Sequence, residues 1–161
     1  MLIFFQYLEE SYSDFYNKGC VYVTGDFNAR CGNLEDFILN DVLEESLANN
    51  IQFLVNYDTT HANETGRSSM DKGINNFGKK LINLCQTTGL RIANGRKEND
   101  CNGNITFFNA NGTSTIDYLL TDMNTLDTVF NFQTGKFNIF SDHAPLTFVI
   151  NQFPKYKCRV Y

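Results

Sequence analysis

Two segments of this chain repeat one pattern, an apolar helical period that ends at a glycine and passes directly into a short β-prone run. That pattern restricts the fold to helices layered on a sheet. In the first segment Phe4, Leu8, Tyr12 and Phe15 stand three or four residues apart, the spacing of one helical face, and Gly19 offers the stop. Residues 20–24 follow with no polar alternation, which predicts a strand buried on both faces of a sheet. In the second segment Phe77, Leu81, Leu84 and Cys85 share one face, Gly89 suits the C-terminal cap, and residues 90–94 alternate as a strand. Layered α/β proteins place ligands beyond the C-terminal ends of their strands. The search for a site therefore begins where the first strand ends, at Gly25-Asp26-Phe27-Asn28.

The remainder of the chain adds sheet. Three further strands are expected at residues 105–108, 116–120 and 146–150, with Gly103, Gly112 and Gly135 marking turns. Between residues 29 and 76 the pattern loosens: residues 51–55 read as a short strand and residues 61–72 as an exposed loop. No composition break, repeat or low-complexity linker divides the sequence, so residues 1–161 read as a single domain.

Composition narrows the function classes. A formal charge of -5 excludes a broad basic surface that grips nucleic acid by counterion release, so any phosphate chemistry needs a local site and a cation. Five cysteines, an odd count with no CxxC pair, predict reduced thiols rather than a disulfide framework, and His61 and His143 lie too far apart in sequence to suggest a zinc cluster. The apolar start Leu2-Ile3-Phe4-Phe5 is short, lacks a basic flank and runs into Glu9 and Glu10, so it is neither a signal peptide nor a membrane span. An intracellular setting, the nucleus included, and no membrane partner are the expectation.

Three clusters combine carboxylate, amide and imidazole at expected strand ends: Gly25-Asp26-Phe27-Asn28, Ser114-Thr115-Ile116-Asp117-Tyr118 and Ser141-Asp142-His143-Ala144-Pro145. Taken singly, each has an ordinary explanation. An Asp-x-Asn after a strand is usually a turn bonding its own backbone, Asp117 fits the open face of a strand whose Ile116, Tyr118 and Leu120 point inward, and His143 fits a loop before a proline.

Together and in this order, the strings resemble the endonuclease/exonuclease/phosphatase superfamily, which includes abasic-site endonucleases, DNase I-like enzymes and the endonucleases of LINE-type retrotransposons. Its Gly-Asp-(Phe, Leu or Trp)-Asn string matches residues 25–28, its Ser-x-Ile-Asp-Tyr string residues 114–118, and its Ser-Asp-His-x-Pro string residues 141–145. Asn75-x-x-Gly78-x-x-Leu81, Gly89-Leu90 and Asn94-Gly95-Arg96 look like linking segments of retrotransposon-type members. The resemblance implies a two-sheet α/β sandwich of the DNase I-like type, truncated at its N-terminus.

It also implies a chemistry, in-line attack of water on a phosphodiester. Asp26 would orient or deprotonate the water, and Asn28 would donate to the phosphoryl group or the attacking oxygen. His143 would donate to a nonbridging oxygen while Asp117 holds its other ring nitrogen. Asp142 would lie near Mg²⁺, with Mn²⁺ as a substitute. Ser114 and Ser141 would position backbone rather than act as nucleophiles. DNA is the implied partner. Arg30, Arg67, Lys79 and Lys80 are local cations for it, although ordinary solvated surface charge is the stronger reading of all four.

The family's asparagine near its first strand and its metal-binding glutamate would precede residue 25, and Glu9 and Glu10 do not replace them because they fit a solvated helical face. Completion by an upstream segment or another chain is therefore expected, and an uncovered apolar sheet face makes self-association a further expectation. Three functions stay open: a retrotransposon-type DNA endonuclease, a phosphatase of the same superfamily, and a catalytically inactive transposon-derived fragment.

Overall fold

A computed structural model describes residues 2–38 and 66–151. Its elements in chain order are helix α1 (Leu2–Tyr16), β1 (Val23–Asp26), α2 (Asn76–Thr88), β2 (Leu90–Ile92), a 3-10 turn (Glu98–Asp100), β3 (Phe107–Asn109), β4 (Gly112–Ser114), β5 (Asp117–Asp122), the short α3 (Met123–Leu126), β6 (Val129–Thr134) and β7 (Leu146–Ile150). Both helix-then-strand units form, but β1 runs from residue 23 to 26 rather than the expected 20–24, so that Gly25 and Asp26 lie within it, and β2 ends at Ile92 rather than at residue 94. The third and fourth strands begin about where the sequence places them, and β7 matches to the residue. The strands β4 and β6 were not anticipated: β4 is the return arm of a tight hairpin from β3, and β6 pairs with β7 through an irregularity at Phe130/Gln133 that breaks its alternation.

A three-stranded antiparallel sheet of order β1-β5-β2 separates two apolar layers. On one side α1 and α2 pack over it with Phe5, Tyr12, Phe27, Leu81, Leu84, Tyr118 and Leu120. On the other side Leu119 and Ala93 join Leu126, Val129 and Phe132. Successive residues of β5 thus enter opposite layers, as a pleated strand requires. This corrects two expectations. The strand buried on both faces is β5, at the centre of the sheet, not β1, an edge strand whose Thr24, Gly25 and Asp26 are exposed. Asp117 therefore begins a central strand rather than lying on an open face.

The buried face of α1 also differs. Phe5 and Tyr12 are buried with Leu8 and Tyr16 packed beside them, whereas Phe4 is 52% and Phe15 57% exposed. Both sets have helical spacing, and a helix that opens Leu-Ile-Phe-Phe offers no polar mark to choose between them. Only packing against α2 and Phe27 chose.

The C-terminal cap of α2 follows the sequence, and its N-terminal cap was not anticipated. Asn75 caps its start by accepting the Gly78 amide at 2.7 Å, and Gly89 takes the left-handed conformation at its end with φ 77°. The expected strand at residues 51–55, and residues 61–65 of the expected loop, lie outside the described residues. From residue 66 to 72 there is no helix or strand, but the segment is not an exposed loop: Arg67, Ser69 and Asp71 are buried. Cys20, Cys31, Cys85 and Cys101 are free thiols. No helix among the described residues is long and apolar enough to cross a membrane.

Candidate active site

The register of β1 on β5 sets Asp26 opposite Asp117. Directly opposed residues of an antiparallel pair point to one face with Cβ atoms about 5 Å apart. Beyond Asp26 the chain turns sharply. Phe27 drops into the core and its amide donates to the Ile116 carbonyl at 2.9 Å, while Asn28 adopts φ 49°, a left-handed conformation that asparagine tolerates better than most residues. The Asn28 amide donates to Asp26 Oδ1 at 2.8 Å and Asn28 Nδ2 to Asp26 Oδ2 at 3.3 Å. This local bonding is what an Asp-x-Asn turn predicts, and here it holds carboxylate and amide side by side at the sheet end.

His143 arrives from the other side. Residues 142–144 lie against the start of β3, with the Ala144 amide donating to Thr106 carbonyl at 2.8 Å and the Phe108 amide to Asp142 carbonyl at 2.9 Å. Ser141 Oγ accepts the His143 amide at 3.0 Å, so Ser141 positions backbone as expected; Ser114 is buried and its carbonyl accepts the Thr106 amide at 3.0 Å. The Phe107 ring meets the imidazole edge-on at 4.9 Å between centroids. Thus held, His143 Nδ1 stands 3.1 and 3.0 Å from the two carboxylate oxygens of Asp117. Burial alone would lower the imidazole pKa; the Asp117 hydrogen bond, with the charges of Asp117, Asp26 and Asp142, outweighs it and carries the pKa above the ordinary histidine value. Because Nδ1 is bonded to Asp117, Nε2 is the nitrogen left to meet a substrate.

The structure therefore brings together Asp26 with Asn28 and Asp117 with His143, and sets the two pairs at one end of the sheet. Asp142 is exposed and adjacent in the chain, near enough for its charge to act on His143. Among the described residues no group of three or more His, Cys, Asp or Glu side chains gathers as a metal cage. The donors here are hard carboxylate oxygens, few in number and partly exposed. That set fits Mg²⁺, which keeps several waters and takes one or two carboxylates together with substrate phosphate oxygens.

Several residues position the site in ways the sequence did not indicate. Thr106 is fully buried, and its Oγ1 accepts the amides of Ile116 at 3.0 Å and Asp117 at 3.1 Å, fixing the start of β5. Asp71 accepts Arg30 Nη2 at 2.6 Å and Nε at 2.9 Å, the Gly73 amide at 2.8 Å and the Thr115 amide at 3.1 Å, so one buried carboxylate ties the loop after Asn28 to the approach to Asp117. Asn75 does more than cap α2: its Nδ2 donates to Asn28 carbonyl at 2.9 Å and its Oδ1 accepts the Arg30 amide at 3.1 Å. Asn94 joins β2 to β5 by donating to Asp117 carbonyl at 3.2 Å and accepting the Leu119 amide at 3.2 Å. An asparagine ahead of a helix and one at a strand end were visible, but not the bonds they would make.

The cations divide. Arg67 is 6% exposed and donates to Gly32 carbonyl at 2.7 Å, so it is an internal strut and not the solvated charge its composition suggested. Arg30 is committed to Asp71, while Lys79 is exposed and Lys80 half-buried.

No protein-family model and no curated protein matches the chain. Among solved structures, a 3′-5′ exonuclease (NExo) from Neisseria meningitidis superposes with a TM-score of 0.51 at 17% identity, covering 92% of this chain and 52% of that one. A structure described as the 3′ phosphatase NExo from Neisseria, bound to product DNA hairpin, gives the same TM-score and coverage at 16% identity. At such identity the likeness establishes architecture. The chain has the DNase I-like exonuclease/phosphatase fold of these structures and spans about half their length.

Proposed function

We propose that this chain carries the phosphate-handling part of a metal-dependent phosphodiester hydrolase, a DNA endonuclease of retrotransposon type. The observation that carries the reading is the Asp117–His143 pair at 3.0 Å, set at the same sheet end as the Asp26–Asn28 turn. The retrotransposon type rests on the linking strings around Asn75, Gly89 and Asn94. DNA as substrate is supported by the neighbour bound to a DNA hairpin.

In this reading a water attacks the phosphorus in line. Asp26 accepts a hydrogen bond or a proton from that water, and Asn28, held beside it, donates its amide to the oxygen on which charge builds. His143, whose charged form the Asp117 carboxylate favours, donates from Nε2 to a nonbridging phosphate oxygen. Asp142 is the side chain that would hold Mg²⁺. When bound, the ion supplies charge stabilisation of the leaving oxyanion. A phosphomonoesterase acting on DNA ends is the second reading, favoured by the neighbour described as a 3′ phosphatase.

A supercoiled-plasmid nicking assay on the purified chain, with and without Mg²⁺ and beside His143→Ala, tests the proposal. Nicking that requires both the ion and His143 supports it. Absence of nicking from folded protein favours an inactive fragment, and release of terminal phosphate without nicking favours the phosphatase.

A further inference from the structure

Beside the candidate site the surface carries an apolar feature that the proposed chemistry leaves unused. The loop joining β6 to β7 exposes Ile139 at 93% and Phe140 at 90%, more than any other large apolar side chain among the described residues. On the same loop Phe137 tilts against the exposed Phe108, with ring centroids 6.1 Å apart. The tip is pinned. Asn138 Oδ1 accepts the Phe140 amide at 2.8 Å, Asn138 bridges to Ser141, and at the base of the loop the Gly135 amide donates to Pro145 carbonyl at 2.8 Å. Ser141, which closes this turn, also accepts the His143 amide, so hydrogen bonds join the tip to the backbone that carries the imidazole.

Adjoining large apolar groups held outward on a fixed turn keep an unfavourable hydration that folding does not relieve. We propose that Ile139 and Phe140 form a nucleobase-contacting wedge, with Phe140 stacking on a base and Ile139 packing beside it, next to the phosphate held at His143. This rests on the phosphodiester reading above. Charge favours a base over a phosphate as the contact: a chain of net charge -5 gains little from neutralising a backbone, so its affinity for nucleic acid needs a non-ionic source. Stacking supplies one. Neither tip side chain has a hydrogen-bond donor or acceptor, so the contact tolerates any base sequence.

The test is fluorescence anisotropy of a labelled 20-base-pair DNA duplex titrated with the whole chain, its Phe140→Ala and Ile139→Ser variants, and Phe130→Ala as control. Phe130 is an exposed phenylalanine at the end of β6 away from this loop. The expected result is an affinity about tenfold weaker for Phe140→Ala and unchanged for Phe130→Ala. Circular dichroism and melting should be unaltered, since the substituted side chains are exposed. Equal binding by wild type and Phe140→Ala overturns the wedge and leaves the phosphodiester reading standing. No DNA binding by folded wild type overturns that reading and the wedge with it. Concentration-dependent dimerisation that Phe140→Ala abolishes, with DNA affinity unchanged, makes the tip a contact with a second copy and overturns the proposal.

Discussion

Asp26, the last residue of β1, lies directly across the sheet from Asp117, the first residue of β5. Like charges so placed repel, at a cost of about 0.2–1 kcal/mol relative to neutral pairs. Asn28 on one side and His143 on the other partly offset that cost by bonding each carboxylate. Under the proposed function both acids are needed at this end of the sheet. Asp26→Asn is therefore expected to raise the urea midpoint slightly while removing nicking activity; a lowered midpoint would show that the carboxylate serves the fold.

His143 should titrate above the ordinary histidine value of about 6.5. The chain has only two histidines, so the ring-proton resonances in an NMR titration can be assigned with a single His61→Ala control. Asp117→Asn removes the partner that raises the pKa and should bring it down. Because the folded value lies above the unfolded one, the pair's contribution to stability is complete below about pH 6.5 and is lost as pH rises through the folded value. A pKa in Asp117→Asn equal to that of the wild type would dissolve the pair.

Acid should destabilise the fold through Asp36. Burial would raise its pKa, but two hydrogen bonds from Arg96 at 2.6 and 2.7 Å, the Arg96 charge and the Ile92 amide hold it below the usual carboxylate range. A depressed folded pKa contributes stability above the unfolded value of about 3.9 that is lost as pH falls through the folded value. The Asp36 and Arg96 side chains are 0% and 5% exposed, so Arg96→Met, which strands a buried carboxylate, should cost about 3–5 kcal/mol in urea unfolding at pH 7. The double change Asp36→Leu with Arg96→Met should recover most of that loss; failure to recover would mean that Arg96 acts through other contacts.

Gly78 is the point where α2 touches the loop that follows the Asp26–Asn28 turn. A Cβ there would overlap the Arg30 carbonyl oxygen, in the loop that continues from Asn28. Gly78→Ala should therefore destabilise by about 1–3 kcal/mol, despite alanine's better helix propensity, because the backbone has to shift. Nicking should fall further than stability accounts for, since the shift displaces Asn28. A variant as stable as wild type would show that the helix can step back freely.

Asp71→Asn tests the tie between the two site strings. It keeps the shape but weakens the charge-assisted bonds to Arg30, and a loss of about 1–3 kcal/mol is expected. The ordinary Asp71 pKa would be raised by burial, and Arg30 with the Gly73 and Thr115 amides instead lowers it. Stability of the wild type should accordingly fall with acid more steeply than that of Asp71→Asn, measured as urea midpoint against pH; parallel curves would remove Asp71 from the acid response.

The sequence by itself determined what depends on local rules. Helical spacing placed α1 and α2, Gly89 capped the latter, and the apolar run at residues 146–150 gave β7 its bounds. The candidate residues were legible because the three strings, taken together and in order, resemble those of a known superfamily; the bonds of Asp26 to Asn28 and of Ser141 to the His143 amide are local as well. Only the tertiary structure decided the rest. Which of two equally spaced faces α1 buries depends on Phe27 and α2, and whether β1 or β5 is central depends on strand order, which periodicity does not encode. Asp71, Thr106 and Arg67 were unreadable for the same reason. Each makes a hydrogen bond to a residue 10 to 44 positions away, and a polar side chain in a loop looks alike in sequence whether it meets water or a buried amide.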